Sequence, residues 1–546
     1  MNLAIALLLA AASFDPFPNG GAARYHIDFS RIYASPGARQ ADRARLERDL
    51  DRLEAMRGSI GADAKHLLDA MQLNDAIQAR AGRQDTDLYV RAAVDTRDAK
   101  DRDDDDAMWS EVTAKTAFLR PEIVRLSGEK LASFYAAEPK LRAYESAIES
   151  MRRWRSHTLS EPEEKILATA APAALDWQSD LYDKLLDEKA DRDLFAFTLT
   201  RLASARTSFA RMHHFDSAAE WTYFRNELTR RRVDSLIERI AANAELFKTY
   251  EQLRGKQPPL ADTPRFTIDD AHRILLDAAT PLGGDYTREL AALLDPANGR
   301  LDIVPGPNRK AGGFSAGAIG TDSVFYSSGF AGTYNDLRVL MHESTHAVQR
   351  QLMSGAHVRP VYAEGPHFLA EGLAMVNELA LADFMAEHAA NPADKRFFLE
   401  QFLDGKGMIA FKVAPEAELE EEAYDGVAAG TIHTADDLDA LTMRVYSRYT
   451  IAPSNDRWMH VRLMYEDPFY DFNYVIGGVI ALRLYAMERA DPADFAKRYV
   501  AMMRGGYDAP AETLLKKFFG IDLDDPKLLD PALDLLRERV EELGRL

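Results

Sequence analysis

Apolar positions recur at helical spacing over the first half of the chain. In residues 40–57, 63–80 and 225–239, apolar side chains return every three or four positions among charged ones. This is the period of an amphipathic α-helix. Pro121 and Pro139 divide the pattern into separate segments, as prolines do at helix boundaries. We therefore predict that residues 26–255 are almost entirely helical.

The pattern changes after residue 300. Residues 301–304 and 324–326 are short runs of β-type apolar residues, and several glycines lie between them. Glycines in such a stretch favour loops or a close approach of the backbone. This is the one region where the sequence predicts a β-sheet. An edge strand in it would be able to pair with an extended peptide.

Residues 336–350 directly follow the predicted sheet and have the pattern of a helix. Their apolar positions return at helical spacing, and no glycine or proline interrupts them. Thr333 and Asp336 are spaced as the two members of a capping box, which would start the helix.

This predicted helix contains the H-E-x-x-H pattern, with His342, Glu343 and His346 at its fixed positions. On a helix the two histidines are one turn apart, about 6 Å along the axis, and share one face, where they can bind one zinc ion. Glu343 is rotated by about 100° and would reach the attacking water as a general base. A solvated helix face with the same residues is the alternative, so a third ligand is needed to decide.

Two glutamates downstream are candidates for that third ligand. Glu371 lies 25 residues after His346, and Glu364 lies 18 residues after it. Pro366 suits the start of a helix, on which Glu371 and Glu378 would share a face among apolar neighbours. Carboxylates buried in such surroundings need a cation or a metal as a partner.

The composition of the chain limits both its binding partners and the side chains that could hold a metal. The chain has 546 residues, a net charge of −20 and no cysteine. The negative charge argues against nucleic acid and anionic membranes as partners, because phosphates would be repelled. Without cysteine, any zinc ion must be held by histidine and carboxylate side chains.

The N terminus has a short apolar run at residues 3–12 that ends in the small residues 10–13. The run is too short to cross a bilayer, and it is similar to the hydrophobic part of a signal peptide with its cleavage site. We therefore expect a periplasmic or secreted protein; a buried N-terminal segment in a cytoplasmic protein is the alternative. No other stretch predicts a stable membrane span.

Around the candidate ligands the sequence resembles the zinc peptidase family of oligoendopeptidase F and thimet oligopeptidase, and it is closer to the bacterial oligoendopeptidase F branch. Residues 368–378 match the family pattern F-x-A-E-x-x-S-x-x-N-E, except that Ala374 replaces the serine. The resemblance implies that Glu371, rather than Glu364, is the third ligand. It also implies that Glu378 is an acid that orients a ligand.

Further segments extend this resemblance over nearly the whole chain after residue 25. They are residues 28–33, 309–315, 468–474 and 520–523. Two departures stand out. Thr345 replaces the glycine that usually precedes the second histidine, and Phe472 stands where a tyrosine is common.

The family has a histidine and tyrosines on the oxyanion side of its site, near the segment that corresponds to residues 468–474. The candidates that this implies here are His460, Tyr465, Tyr470 and Tyr474. Core packing is the alternative for the tyrosines. Gly313, Phe314 and Phe325 are expected to bind the substrate along the predicted strands. The remaining downstream histidines, which include His367, are interpreted as surface or packing residues.

The fold that the resemblance implies is mainly α-helical, with two helical lobes around a deep substrate channel and a small sheet beside the zinc helix. The chain would divide into a possible signal segment (1–20), a helical region (21–205) and a catalytic region (206–546). The implied activity is zinc-dependent endopeptidase cleavage of short unstructured peptides, with one zinc ion per chain. The alternatives are a dipeptidyl carboxypeptidase and a catalytically silent peptide-binding protein. The sequence does not identify a group that binds a free C terminus, nor the oligomeric state.

Overall fold

The computed structural model describes residues 14–546 except 98, 176, 261 and 262. It is mainly helical with a small sheet, so the predicted fold class is confirmed. Fourteen α-helices precede the sheet in the described part of the chain: α1 (Pro36–Glu54), α2 (Ala64–Val94), α3 (Ala99–Thr116), α4 (Leu119–Val124), α5 (Gly128–Ala137), α6 (Glu145–Arg152), α7 (Glu161–Leu175), α8 (Gln178–Asp187), α9 (Arg192–Met212), α10 (Ala218–Arg225), α11 (Arg230–Ala242), α12 (Glu245–Lys256), α13 (Ile268–Ala278) and α14 (Gly284–Leu294).

The sheet lies where the sequence predicts it and has three strands: β1 (Leu301–Asp302), β2 (Gly313–Ala316) and β3 (Val324–Ser327). β3 is the central strand, parallel to β1 and antiparallel to β2. In the β2–β3 pair, Gly313 lies opposite Ser327 and Ala316 lies opposite Val324. β2 is therefore an edge strand within the described part of the chain.

Ten α-helices follow the sheet in the described residues: α15 (Tyr334–Gly355), α16 (His367–Glu387), α17 (Pro392–Phe402), α18 (Ile409–Ala429), α19 (Ala435–Tyr446), α20 (Leu463–Glu466), α21 (Phe472–Ala490), α22 (Pro492–Gly505), α23 (Ala511–Phe519) and α24 (Asp530–Gly544). A π-helical turn, Leu403–Gly407, joins α17 to the segment before α18. No helix in the described residues is long and apolar enough to cross a membrane.

The side chains form two large hydrophobic cores and a small one. One large core lies among α1–α6, and the other joins α8–α24 to the start of the chain. The small core packs Val324 and Tyr326 of the sheet against Val90 and Ala93 of α2. The predicted boundary between residues 205 and 206 falls within α9, whose buried side chains belong to the second large core.

The predicted signal segment extends into the folded part of the chain. Residues 1–13, which hold its apolar run and most of its small residues, lie outside the described residues. Phe17 is buried in the main core, where its ring lies 6.0 Å from that of Phe330. The backbone carbonyl of Pro16 also accepts a hydrogen bond from Ile268 N. Cleavage as late as residue 20 would therefore remove a core side chain.

The helix of the H-E-x-x-H pattern, α15, begins at the predicted capping box. Thr333 Oγ1 accepts a hydrogen bond from Asp336 N, and the Asp336 carboxylate accepts one from Thr333 N. These bonds satisfy donors that a helix N terminus leaves unpaired. The helix continues to Gly355, beyond the predicted end at residue 350, and buries Leu337, Leu340 and Met341.

Close packing of α16 against α21 brings two parts of the candidate site together. A Cβ on Gly477 of α21 would lie 2.8 Å from Met375 Cε and 3.0 Å from Phe368 O, both in α16. A Cβ on Gly372 would lie 3.0 Å from Ile480 Cγ2 in the same way. Larger residues at these two glycines would push the helices apart.

Candidate metal centre

α15 and α16 bring two histidines and one glutamate to a common point. His342, His346 and Glu371 each offer one ligand atom, and the three atoms lie within 4.8 Å of one another. His342 Nε2 is 3.5 Å from one Glu371 oxygen, and His346 Nε2 is 4.0 Å from the other. The three side chains are only 13–16% exposed. Two imidazoles and a carboxylate that converge in a buried site fit zinc.

Glu378 holds the His342 ring in the orientation that a ligand needs. His342 Nδ1 lies 2.6 Å from Glu378 Oε1, and Arg338 Nη1 donates to Glu378 Oε2 at 2.6 Å. Lys406 Nζ lies 3.5 Å from Glu378 Oε1. With Nδ1 directed at the carboxylate, the ring turns Nε2 towards the metal position, where its lone pair could bind a metal.

The charges around Glu378 decide its protonation. Burial by itself would raise the pKa of the carboxyl, but the positive charges of Lys406, His342 and Arg338 outweigh it and lower the pKa to about 2. The ion pair therefore persists at neutral pH. Burial lowers the pKa of His346, as do the charges of His342 and Arg350, so this ring is neutral and its lone pair is available.

Glu343 lies at the outer edge of β2. Its Oε2 accepts a hydrogen bond from Ser315 N at 3.0 Å. Gly312 O accepts a bond from Ser328 N on the β3 side of the strand, and successive residues of a strand face opposite directions, so Gly313 and Ser315 face outward. Burial raises the pKa of Glu343, which suits a proton acceptor that later returns the proton.

Two of the predicted tyrosines lie near the metal ligands. Burial raises the pKa of both Tyr470 and Tyr474, and the negative charge of Glu371 is the next largest cause for each. Their rings are 5.5 Å apart. Tyr470 OH lies 3.3 Å from His367 Nδ1. Both hydroxyls therefore remain protonated at neutral pH and are able to donate hydrogen bonds.

The structure does not bring Tyr465 and His460 to the centre. Tyr465 is fully buried, stacks on Tyr182 at 4.6 Å, and its hydroxyl has no hydrogen-bond partner among the described residues. His460 is half-exposed and lies 3.9 Å from Asp456. The segment folds into a short turn and α20, which packs on α8, and the contacts of Tyr465 and His460 are made there.

The predicted substrate contacts need a similar correction. Phe325 lies on the central strand β3, where Leu301 and Ser315 flank it on both sides, and its ring is buried in the main core. It therefore has no free edge for a peptide. Phe314 belongs to β2, but its side chain packs against Tyr89 at 4.8 Å. Of the three residues, Gly313 is the one whose backbone faces the open edge.

Several residues at the centre were missed in the sequence. His367, interpreted there as a surface or packing residue, is exposed at the start of α16 and contacts Tyr470. It lies four residues before Glu371, and Arg338 lies four residues before His342, so helical spacing was an available signal for both. Lys406 lies in the π-helical turn and has no such signal.

The unusual Thr345 is explained by its neighbours. Its side chain is fully buried, and its Oγ1 donates to Met341 O at 2.9 Å. The same oxygen lies 2.8 Å from Asn377 Nδ2 and 3.1 Å from Tyr286 OH. The threonine hydroxyl thus links α15 to α14 and α16 where a glycine would leave the polar groups without this partner.

Comparison with known proteins finds similar sequences and structures. The family model for oligopeptidase F, a peptidase of the M3 group, matches residues 122–188. The chain is 22% identical over 561 residues to oligopeptidase PepF of Bacillus subtilis, which covers 90% of this chain and 83% of that protein. It is 23% identical over 597 residues to an oligoendopeptidase F homolog of Lactococcus lactis, with 95% and 96% covered. Over nearly its whole length the chain is similar to proteins named oligoendopeptidase F.

A solved structure shares the fold. Oligoendopeptidase F from Enterococcus faecium has a TM-score of 0.66 at 19% identity, and the match covers 93% of this chain and 98% of that one. The similarity to these relatives and to the family model supports a peptidase. His342, His346 and Glu371 are a group that could hold the metal.

Proposed function

We propose that the chain is a zinc-dependent oligoendopeptidase that hydrolyses internal bonds of short unstructured peptides. One zinc ion per chain would be held by His342, His346 and Glu371. The observation that carries the proposal is the convergence of these buried ligands within 4.8 Å, with Glu343 beside them on the open edge of β2. A bound zinc ion would supply Lewis-acid activation of the peptide carbonyl and the attacking water.

Glu343 acts as the general base and then as the general acid. Its carboxylate takes a proton from the attacking water and returns it to the leaving amine. The hydrogen bond from Ser315 N fixes one oxygen of Glu343. Arg350 Nη1 donates to Ser315 Oγ at 3.0 Å, which braces the strand at this residue. The other oxygen is left to face the water.

Tyr470 and Tyr474 stabilise the tetrahedral oxyanion. Their hydroxyls are protonated, because burial and the charge of Glu371 raise their pKa values. A hydroxyl that donates to the oxyanion in a buried site typically contributes about 10²–10³ in kcat. His367, which contacts Tyr470, helps to orient that hydroxyl.

The edge of β2 selects the substrate. An extended peptide can add to this edge as a further strand, paired with the outward backbone of Gly313. Strand addition requires a segment without structure of its own, which a compact folded protein does not offer. The negative charge of the chain, −20, favours neutral or basic peptides.

Mass spectrometry of a mixed peptide set tests the proposal. Peptides with free and with blocked C termini are incubated with the protein alone, with a chelator, and with zinc restored. We expect internal cuts that disappear with the chelator and return with zinc. Release of C-terminal dipeptides only, with blocked peptides intact, would indicate a dipeptidyl carboxypeptidase. Peptide binding without cleavage would indicate a silent binding protein.

The N-terminal apolar run supports export as a further part of the proposal. N-terminal sequencing of protein isolated from its native cells tests it. We expect a mature chain that begins just after the small residues 10–13, in the periplasm or the medium. An uncleaved chain in the cytoplasm would contradict export.

A further inference from the structure

A cavity of about 390 Å³ adjoins the candidate metal centre. Tyr470 and His367 form the wall that it shares with the centre, and residues of α9 and α10, including Arg206 and Arg225, form the opposite wall. His367 lies one helical turn before Glu371 on α16 and contacts Tyr470, so this wall lies near the metal ligands. A peptide bound at the centre would thus be able to extend past Tyr470 into the cavity.

The two arginines of the far wall have no carboxylate partner. Within the described residues, neither Arg206 nor Arg225 forms an ion pair, and Arg206 Nε is buried without a hydrogen-bond partner. Two nearby arginines do form ion pairs. Arg230 pairs with Glu421 and Asp425, and Arg232 pairs with Asp524. Unpaired guanidinium groups in a cavity are suited to bind an anionic group of a ligand.

Three guanidinium groups and three carboxylates line the cavity. Arg225 is exposed there. Arg153 adds a third guanidinium, whose hydrogen bonds go to the carbonyls of Phe224 and Arg225.

Acidic groups also line the cavity, but none of them forms an ion pair with Arg206 or Arg225 within the described residues. Glu227, which also lines the cavity, accepts a hydrogen bond from Ala511 N. Glu420 acts on Arg206 from α18, and burial raises the pKa of its carboxyl well above the usual range. Glu364 and Asp467 are exposed to solvent, which screens their charges.

Asn473 adds a second feature of a binding site. Its side chain is 3% exposed, lines the cavity, and donates from Nδ2 to Tyr470 O at 2.9 Å. Its Oδ1 has no hydrogen-bond partner among the described residues. A buried amide oxygen without a partner costs free energy, so this side chain keeps an unused acceptor beside the cavity.

We infer that Arg206 and Arg225 bind a carboxylate of the peptide substrate, in the first place its free C terminus. The inference rests on the proposed peptidase function, which locates the scissile bond at the metal ligands. The guanidinium groups would hold the C-terminal carboxylate while the preceding residues pass Asn473 and Tyr470. The site would then favour cuts at a fixed distance from the C terminus. An acidic side chain near that end is the other source of the same group.

Cleavage of one peptide in three forms tests this inference: with a free C terminus, with a C-terminal amide, and with the amide plus a glutamate near the end. We expect the wild type to cleave the free acid at least about tenfold better than the plain amide, mainly through KM, since hydrogen bonds to charged groups are strong. Arg225→Ala, at an exposed position that is safe for folding, should reduce this preference to near one. Arg206→Ala should do the same, and Arg225→Lys should restore part of it.

Arg211→Ala is the matched control, because Arg211 is exposed on the same helix as Arg206 and does not line the cavity; it should keep the preference. Cleavage of the glutamate-containing amide at the rate of the free acid would assign the site to acidic side chains. Equal cleavage of acid and amide by the wild type, or a preference unchanged in both arginine variants, would overturn the inference.

Binding separates this inference from the proposed function. Affinities of the labelled acid and amide peptides are measured with Glu343→Gln protein, alone and combined with Arg225→Ala. A preference for the acid that disappears with Arg225→Ala supports the carboxylate site, even if the wild type cleaves nothing and the peptidase proposal falls. Equal affinity for acid and amide would refute the site, even if the wild type is an active peptidase.

Discussion

The candidate site has a ligand half, formed by α15 and α16, and a tyrosine half, formed by the segment that leads to Tyr470 and Tyr474. The two halves differ in the kind of backbone that holds their residues. His342, His346 and Glu371 lie on the regular helices α15 and α16, where residue spacing fixes direction. Residues 456–471 form turns and the short α20 before α21 begins, and Phe469 has a left-handed backbone with φ of 65°. Tyr470 ends this segment, and Tyr474 lies in the first turn of α21. In a helix, a sequence pattern therefore predicts geometry. In an irregular segment, tertiary contacts decide it.

The two halves also respond to pH with opposite signs. Glu378, in the ligand half, has its pKa lowered to about 2, because nearby positive charges outweigh burial. Asp471, in the tyrosine half, has its pKa raised to about 8, by burial and then by the charge of Glu416. Ionisation thus stabilises the folded ligand half and destabilises the folded tyrosine half.

The largest expected effect is at Glu343 in the ligand half. Glu343→Gln should lower kcat by about 10³-fold, since general acid–base catalysis contributes about 10²–10⁴. Zinc content should be unchanged, because the ligands remain. Steady-state kinetics and metal analysis on the same preparation check both points. Turnover near the wild-type rate would refute the assigned role.

Variants of three tyrosines compare positions near the metal ligands with one that is buried elsewhere. Tyr470→Phe or Tyr474→Phe should lower kcat by about 10²-fold or more, as expected for an oxyanion donor. Tyr465→Phe is the control: its hydroxyl has no partner among the described residues, so its loss should change kcat by less than about twofold. A large loss at Tyr465 with none at the other two would reverse the assignment.

A variant of Glu378 tests how much zinc affinity depends on the carboxylate that orients His342. Glu378→Gln removes the carboxylate that orients His342. We expect zinc affinity to fall by about 10–100-fold, the usual cost of losing such a partner. Competition with a chromophoric chelator measures it. Glu387→Gln, at an exposed position of the same helix, should retain wild-type affinity; a similar loss in both variants would show only a general effect on α16.

The smallest expected effect is a pH dependence that arises in the tyrosine half. The folded-state pKa of Asp471, about 8, exceeds the usual value of 3.8. Its contribution to stability is therefore highest below the lower value and is lost as pH rises towards the upper one. Glu378 acts in the opposite sense: its contribution is present above its usual value of 4.5 and is lost as pH falls towards 2.

Asp471→Asn should remove the alkaline loss, so that its free energy of unfolding falls less between pH 5 and pH 8 than that of the wild type. Thermal unfolding of both proteins across this range measures it. Asp467→Asn, at an exposed position four residues earlier, is the control. Parallel pH profiles for wild type and Asp471→Asn would contradict the raised pKa.

The sequence predicted much of the ligand half and little of the other half. Helical period and capping chemistry gave the helix at residues 336–350, and the family resemblance selected Glu371 over Glu364. A run of β-type residues cannot show whether its strand is at the edge or the centre of a sheet, which is why Phe325 was misassigned. Lys406 and Arg206 reach their places through tertiary packing, which no local pattern records.

Metal analysis of three proteins tests the central claim most directly. Zinc per chain is measured by inductively coupled plasma mass spectrometry in the wild type, Glu371→Gln and Glu364→Gln, each after saturation with zinc and removal of the excess. The account predicts about one zinc ion per chain in the wild type and in Glu364→Gln, and loss of zinc in Glu371→Gln. A full equivalent of zinc in Glu371→Gln, with loss in Glu364→Gln, would contradict it.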